Sequence, residues 1–209
     1  MDVIRLDRKI KNYIFDLGKV LVHFDPMYMT KAYITNEEDA ALVSSVVFDR
    51  LYWDPLDDGS ITDKALKEAC HARLPERLHN VADMVYDNWY FHLPFIEGME
   101  ELVLDVKHSG AKVFLLSNVS SGFAERYHRV PGFSALFSHF DGLVFSGPLG
   151  IVKPNAEIFW HLLKQYGLKP EETVFIDDSA KNIAGAQAVG IHGYLFDGDA
   201  AKLRNTLNF

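Results

Sequence analysis

The 209-residue chain has one cysteine, Cys70, so no disulfide can close within it, which suits a reducing compartment. It has no uncharged apolar stretch near the roughly 18 residues of a membrane span. Positive charge is in deficit: 21 Lys and Arg stand against 29 Asp and Glu, for a formal charge of -8. A protein that grips a phosphate backbone wants the opposite sign, so nucleic acid is excluded as a main partner. An anionic small substrate stays open only where local positive charge or a metal offsets the field. Internal repeats and low-complexity tracts are absent. The stretch from Met1 to Lys11 is charged throughout and lacks the apolar run of a secretory signal. These absences predict a soluble cytoplasmic protein. What is present is ordinary for a folded domain: 48% apolar and 24% charged residues, enough to build a sizeable core.

The apolar residues are arranged in short runs. Tyr13-Ile14-Phe15 ends at Asp16, Lys112 to Leu116 ends at Ser117, and Gly142 to Phe145 ends at Ser146. Thr173 to Ile176 ends at Asp177, and Gly193 to Phe196 ends at Asp197. Each run reads as a strand buried on both faces. Between them lie helical spacings with glycine stops: Met99, Leu102, Val103 and Val106 before Gly110; Ile158, Phe159, Leu162 and Leu163 before Gly167; Ile183, Ala186 and Val189 before Gly190. Strand alternating with helix predicts an α/β fold, a Rossmann-like three-layer parallel sheet. Ligands of such sheets bind beyond the carboxyl ends of the strands, where Asp16, Ser117 and Asp177 would all sit.

From about 25 to 93 the alternation stops and the pattern is helical only. Asp25-Pro26 is an N-cap with proline at the first helical position, Thr35 with Glu38 is a capping-box pattern, Asp57 to Ser60 is a turn, and Thr62 can cap the next helix. The expected organisation is therefore a core of residues 1–24 and 94–209 with a helical insert at 25–93. Two short linkers would join insert to core and could act as a hinge.

Four sites carry chemistry. Asp16, at a strand end and followed by Leu17-Gly18, is placed to be a nucleophile or a metal ligand. Asp177 and Asp178 repel one another unless a cation compensates them, and a hard divalent ion takes oxygen ligands. Lys153, before Pro154 at a helix start, can hold an anion as a point charge. Ser117-Asn118 offers a hydroxyl and backbone N–H groups to the same anion. Each also has a plain reading as a cap or a solvated loop side chain. Together they describe one phosphoryl group, held by cations and donors and attacked by a carboxylate.

With Phe15-Asp16-Leu17-Gly18-Lys19-Val20, Leu116-Ser117-Asn118, Lys153-Pro154 and Phe175-Ile176-Asp177-Asp178 in this order, the chain resembles the haloacid dehalogenase superfamily of aspartyl-nucleophile hydrolases. The resemblance implies a C1-type helical cap at 25–93. It also implies Mg2+ held by Asp16, the Gly18 carbonyl and the Asp177-Asp178 pair, with phosphoryl oxygens held by Ser117 and Lys153. It implies a small phosphorylated metabolite as substrate. The Asp16-Leu17-Gly18 version, with Asp58-Gly59-Ser60-Ile61-Thr62, is most similar to a bacterial subgroup that includes a sugar-1-phosphate phosphatase.

One position departs from the family pattern. Most of its phosphatases carry an acid–base aspartate two residues after the nucleophile, where this chain has Gly18. General acid–base help is worth about 10²–10⁴-fold. Three outcomes stay open: a substrate with a good leaving group, such as an anomeric phosphate; a substitute proton donor, with His23 and Asp25 as candidates; or a binding module that has given up catalysis. A metal-independent 2-haloacid dehalogenase is a further alternative, which leaves Asp177 and Asp178 unexplained. In the insert, Trp53 reads as a loop residue able to stack on a substrate, and Trp89 as core.

Overall fold

The structure is a computed structural model and describes residues 10–207; the charged N-terminal stretch before Ile10 lies outside the described residues. Strand β1 (Asn12–Phe15) is followed by the insert, with helices α1 (Pro26–Lys31), α2 (Glu37–Val47), α3 (Arg50–Asp57), α4 (Asp63–Arg73) and α5 (His79–Asn88). The chain continues through α6 (Met99–His108), β2 (Lys112–Ser117), α7 (Ser121–Arg126), α8 (Pro131–Phe137), β3 (Gly142–Phe145) and the single turn α9 (Ser146–Leu149). It ends with α10 (Ala156–Tyr166), β4 (Thr173–Asp177), α11 (Ala180–Ala188), β5 (His192–Leu195) and α12 (Ala200–Leu207).

All five strands are parallel, in the order β3-β2-β1-β4-β5. Because side chains alternate across a strand, the sheet feeds two apolar layers. Ile14, Phe114, Leu116 and Phe175 pack on Ile158, Phe159 and Leu162 of α10 and Ile183 of α11. Tyr13, Phe15, Val113, Leu115 and Ile176 face Met99, Leu102 and Val106 of α6, Phe133 of α8 and Leu203 of α12. β3 and β5 are edge strands and are only partly buried, unlike the expectation of five strands covered on both faces. Apolar runs give strand identity but not strand order, and order decides which strands have two neighbours.

Register fixes the site. Phe15 pairs with Leu115 on one side and Ile176 on the other, so Asp16 and Asp177 leave adjacent strands at one level. The chain runs outward from β1 in one direction through β2 and β3 and in the other through β4 and β5. The nucleophile candidate therefore sits where the strand order reverses, at the crevice favoured for ligands.

Between residues 26 and 92 every regular element is a helix, and no strand occurs among these described residues. Asp25 caps α1 through the N–H groups of Met27 and Tyr28, and Thr62 caps α4. The cap of α2 is Asn36, accepting from Asp39 N–H, rather than Thr35. This choice places Glu37, Glu38 and Asp39 in the first turn, where the helix dipole favours them. The linkers entering and leaving the insert are bonded to each other: His23 N–H donates to Pro94 C=O at 2.8 Å and Ile96 N–H to Leu21 C=O at 2.9 Å. Among the described residues no helix is long and apolar enough to cross a membrane.

Candidate active site

A cavity of about 710 Å³ lies between the carboxyl edge of the sheet and the insert. Its floor is Asp16, Gly18, Ser117, Asn118, Lys153 and Asp178. The buried Lys153 ammonium donates to Asp16 Oδ1 at 2.8 Å and to Asp177 Oδ2 at 2.7 Å. It thus joins two segments that are distant in sequence. Burial alone would lower the lysine's pKa, but the two carboxylates outweigh it and raise it. Asp16 also accepts its own neighbour's amide, Leu17 N–H, at 2.7 Å. Burial pushes the Asp16 carboxyl up to about 6 against the pull of Lys153, with the Asp177 charge adding to the rise.

Asp177 is fully enclosed and fully bonded. Its oxygens accept from Ser179 N–H at 2.8 Å and from Asn182 Nδ2 at 3.0 and 3.1 Å, besides Lys153. Asp178 differs: it is half-buried, faces the cavity, and its pKa is raised by burial and then by the Asp177 charge. It does not cap α11, whose N-cap is Ser179. Asp16, Asp177 and Asp178 each offer a carboxylate oxygen within 4.8 Å of the others. Three carboxylates with a single ammonium bonded among them leave negative charge in a mostly buried site, and the donor set is all oxygen. Both features fit a hard dication.

Ser117 is buried at the end of β2 and lines the cavity, and its hydroxyl makes no hydrogen bond with a described residue. It caps no helix; Ser120 is the N-cap of α7. The Asn118 side-chain amide, at the cavity floor, accepts from Lys153 N–H at 2.9 Å and donates to Lys153 C=O at 3.0 Å, so it holds the lysine's turn. Lys153-Pro154 is a cis peptide. Gly185 of α11 lies so close beneath it that an added Cβ would stand 2.4 Å from Pro154 O.

His23 is placed elsewhere. It is exposed and lines a smaller adjoining pocket with Lys19, Asp25, Asp178 and Asp197, outside the lining of the main cavity. Asp25 is occupied as the α1 cap. Neither residue, expected as a substitute proton donor, is among those lining the main cavity. Trp53 lies on α3 and not in a loop. It is buried against Phe48 at 4.9 Å and Trp89 at 5.4 Å between ring centroids, and still forms part of the cavity wall.

Residues that the sequence left unmarked complete the site. Lys19, Arg50 and Lys181 bring positive charge to the cavity, and Arg50 is paired with Asp54 at 2.7 Å. Lys19 has φ 58°, a left-handed backbone rarely adopted by a side-chain-bearing residue, and its N–H donates to Val22 C=O at 2.7 Å. Ser146, fully buried, donates its hydroxyl to Asp57 C=O at 2.6 Å and accepts Val119 N–H at 2.9 Å, which ties the insert to the core. A polar residue at the end of an edge strand carries no signal for that role.

Comparison with known proteins agrees with this geometry. The haloacid dehalogenase-like hydrolase family matches residues 10–190. A D-ribitol-5-phosphate phosphatase from Bacteroides thetaiotaomicron is 28% identical over 196 residues, 88% of this chain and 91% of the relative. A sesquiterpene phosphatase from Aspergillus oryzae is 25% identical over 186 residues, 88% of each chain. A solved magnesium complex of a B. thetaiotaomicron enzyme of the same family superposes with a TM-score of 0.70 at 25% identity, covering 94% of this chain and 98% of that one. With the family motifs matched along nearly its whole length, the chain belongs to the haloacid dehalogenase-like hydrolases.

Proposed function

We propose that the protein is a Mg2+-dependent phosphatase of small phosphate monoesters, a sugar 1-phosphate among them. The observation that carries the reading is the buried Lys153 bridging Asp16 and Asp177, beside a cavity-facing Asp178. A nucleophilic carboxylate, a fixed cation and a cation-seeking carboxylate stand within a few ångströms of one another. Two relatives similar over most of their length are named as phosphatases, one of a sugar-alcohol phosphate.

Asp16, the Gly18 carbonyl and Asp178 would hold the metal directly, with Asp177 kept for Lys153 and Asn182. When bound, the dication neutralises charge on the phosphoryl oxygens. Asp16 supplies the attacking oxygen, and the phosphorus–oxygen bond to the leaving group breaks to give an aspartyl-phosphate. The Lys153 ammonium and the Ser117 hydroxyl hold the phosphoryl oxygens in place during transfer. Helices α1 to α5 form the cap that excludes water. The wall of Phe24, Phe48, Trp53 and Trp89 suits the apolar face of a sugar ring, and the cavity has the volume of a small-ligand site. A metal-independent dehalogenase would leave Asp178 facing the cavity without a task. The single buried cysteine agrees with a cytoplasmic setting.

The test is phosphate release from glucose 1-phosphate and p-nitrophenyl phosphate, with Mg2+ and with chelator. Turnover is expected to vanish on chelation and to fall about 10⁴-fold or more in Asp16→Asn. Turnover that survives both would remove the reading.

A further inference from the structure

The phosphatase reading leaves a proton unaccounted for. An alcohol leaving group must gain one as it departs, and Gly18 has no side chain to give it. Of the acids lining the cavity, Asp16 is the nucleophile and Asp178 faces the cation site. Asp54 is paired with Arg50, and Asp58 accepts Ser60 N–H at 2.8 Å. The lysines at the cavity, Lys19, Lys153 and Lys181, serve it as positive charge, and His23 lies outside its lining.

Asp57 remains. It is the last residue of α3, is 9% exposed, and lines the same cavity as Asp16, Ser117 and Lys153. Its carboxyl makes no hydrogen bond and no ion pair with any described residue, and no fully enclosed side-chain oxygen is left unbonded, so the group opens to the cavity. Its backbone is held from the core side. Ser146 donates to its carbonyl, and at Gly59 an added Cβ would stand 2.7 Å from Gly147 O. The loop can approach Gly147 this closely only because Gly59 has no side chain.

We propose that Asp57 is the general acid of the reaction, donating a proton from the insert to the leaving-group oxygen. In the first step Asp16 forms a bond to phosphorus, the bond to the leaving oxygen breaks, and that oxygen takes the Asp57 proton as the alcohol departs. In the second step Asp57 accepts a proton from the water that attacks the aspartyl-phosphate. The bond from phosphorus to Asp16 breaks, and inorganic phosphate leaves. Asp57 ends protonated, as it began.

The charges around it favour the proton it must carry. Burial raises its pKa well above the usual carboxylate range, and Asp54 and Asp16 raise it further, against the opposing pull of Arg50 and Lys153. The inference rests on the phosphatase reading and extends it: with a proton source in the insert, the enzyme is not confined to activated leaving groups.

The experiment compares kcat/KM, which reports the first step, for Asp57→Asn on two probes. Glycerol phosphate has a poor leaving group and p-nitrophenyl phosphate a good one. The expected result is a loss of about 10²–10⁴-fold on glycerol phosphate and less than about tenfold on p-nitrophenyl phosphate. Retained activity on the second probe also shows that the variant folds. Position 18 provides a rescue, because a Cβ added there would meet Phe24 Cβ at 3.9 Å, an ordinary contact. Gly18→Asp in the Asp57→Asn background should restore turnover of glycerol phosphate at least tenfold. A readout without turnover is the ¹³C titration of the Asp57 carboxyl, assigned by its disappearance in Asp57→Asn, which should fall above the normal aspartate range. Equal loss on both probes, no loss on either, or a normal titration would overturn the assignment while leaving the phosphatase reading intact. A wild-type enzyme that hydrolyses neither probe would end both.

Discussion

The sheet edge and the insert face one another across a single cavity and treat their carboxylates differently. On the sheet edge Asp177 has a donor for each oxygen, and Asp16 and Asp177 share one ammonium. On the insert Asp57 is nearly as buried, yet its carboxyl has no partner among the described residues. The surroundings differ in kind as well. Hydrogen bonds and parallel strand register position the first set, while the second hangs from a scaffold of packed rings, with Trp53 in contact with Phe24, Phe48, Tyr86 and Trp89. A group that must hold fixed charge is anchored by donors, and one that must exchange a proton is left without them.

Removing the shared cation breaks the contrast most severely. Lys153→Met leaves two buried carboxylates facing each other and should cost about 3–5 kcal/mol in chemical denaturation. Adding Asp177→Asn should recover part of that loss, and a double variant as unstable as the sum of both singles would show that the three groups are not coupled. On the insert side, Trp53→Ala should cost about 3 kcal/mol by opening a hole among the rings, measured as a lower unfolding midpoint.

Asp57→Asn sharpens the contrast through pH. The folded chain holds the Asp57 proton more tightly than the unfolded chain, so ionising this group destabilises the fold. The penalty is absent below the ordinary aspartate pKa and grows as pH rises toward the raised value. Asp57→Asn should therefore raise the thermal midpoint at neutral pH, and the gain should shrink toward pH 4; a gain independent of pH would contradict the assignment of an unpaired acid. The smallest effect is expected at Lys19, where glycine adopts the left-handed backbone without steric cost. Lys19→Gly should add about 0.5–1 kcal/mol of stability, read from the same denaturation curves.

The sheet edge was legible in the sequence because each strand is a short apolar run that stops at a chemically informative residue. Asp16, Ser117 and Asp177 mark their own strand ends, and one topological rule brings strand ends together. The insert was legible only as helical. Its Asp57-Asp58-Gly59 segment reads as a turn, and which of two adjacent aspartates points inward depends on the phase of α3 against the core, which no local pattern specifies. His23 shows a related limit: the turn through Lys19 and Val22 follows Asp16 and places it at the neighbouring pocket, which nearness in sequence does not reveal. The α2 cap turned on a similar ambiguity, since Thr35 with Glu38 and Asn36 with Asp39 are overlapping signals and the structure uses the second.

The Ser146 hydroxyl has a further consequence for traffic through the cavity. The insert is fastened where the two linkers bond to one another near Val22 and Phe95, and again by the link from Ser146 to Asp57 and the Asp63–Arg126 ion pair at 2.8 Å. A flap pinned at more than one place cannot swing freely from one. Moving the insert away from the sheet edge requires the Ser146–Asp57 hydrogen bond and the Asp63–Arg126 ion pair to let go together, so both resist widening of the cavity.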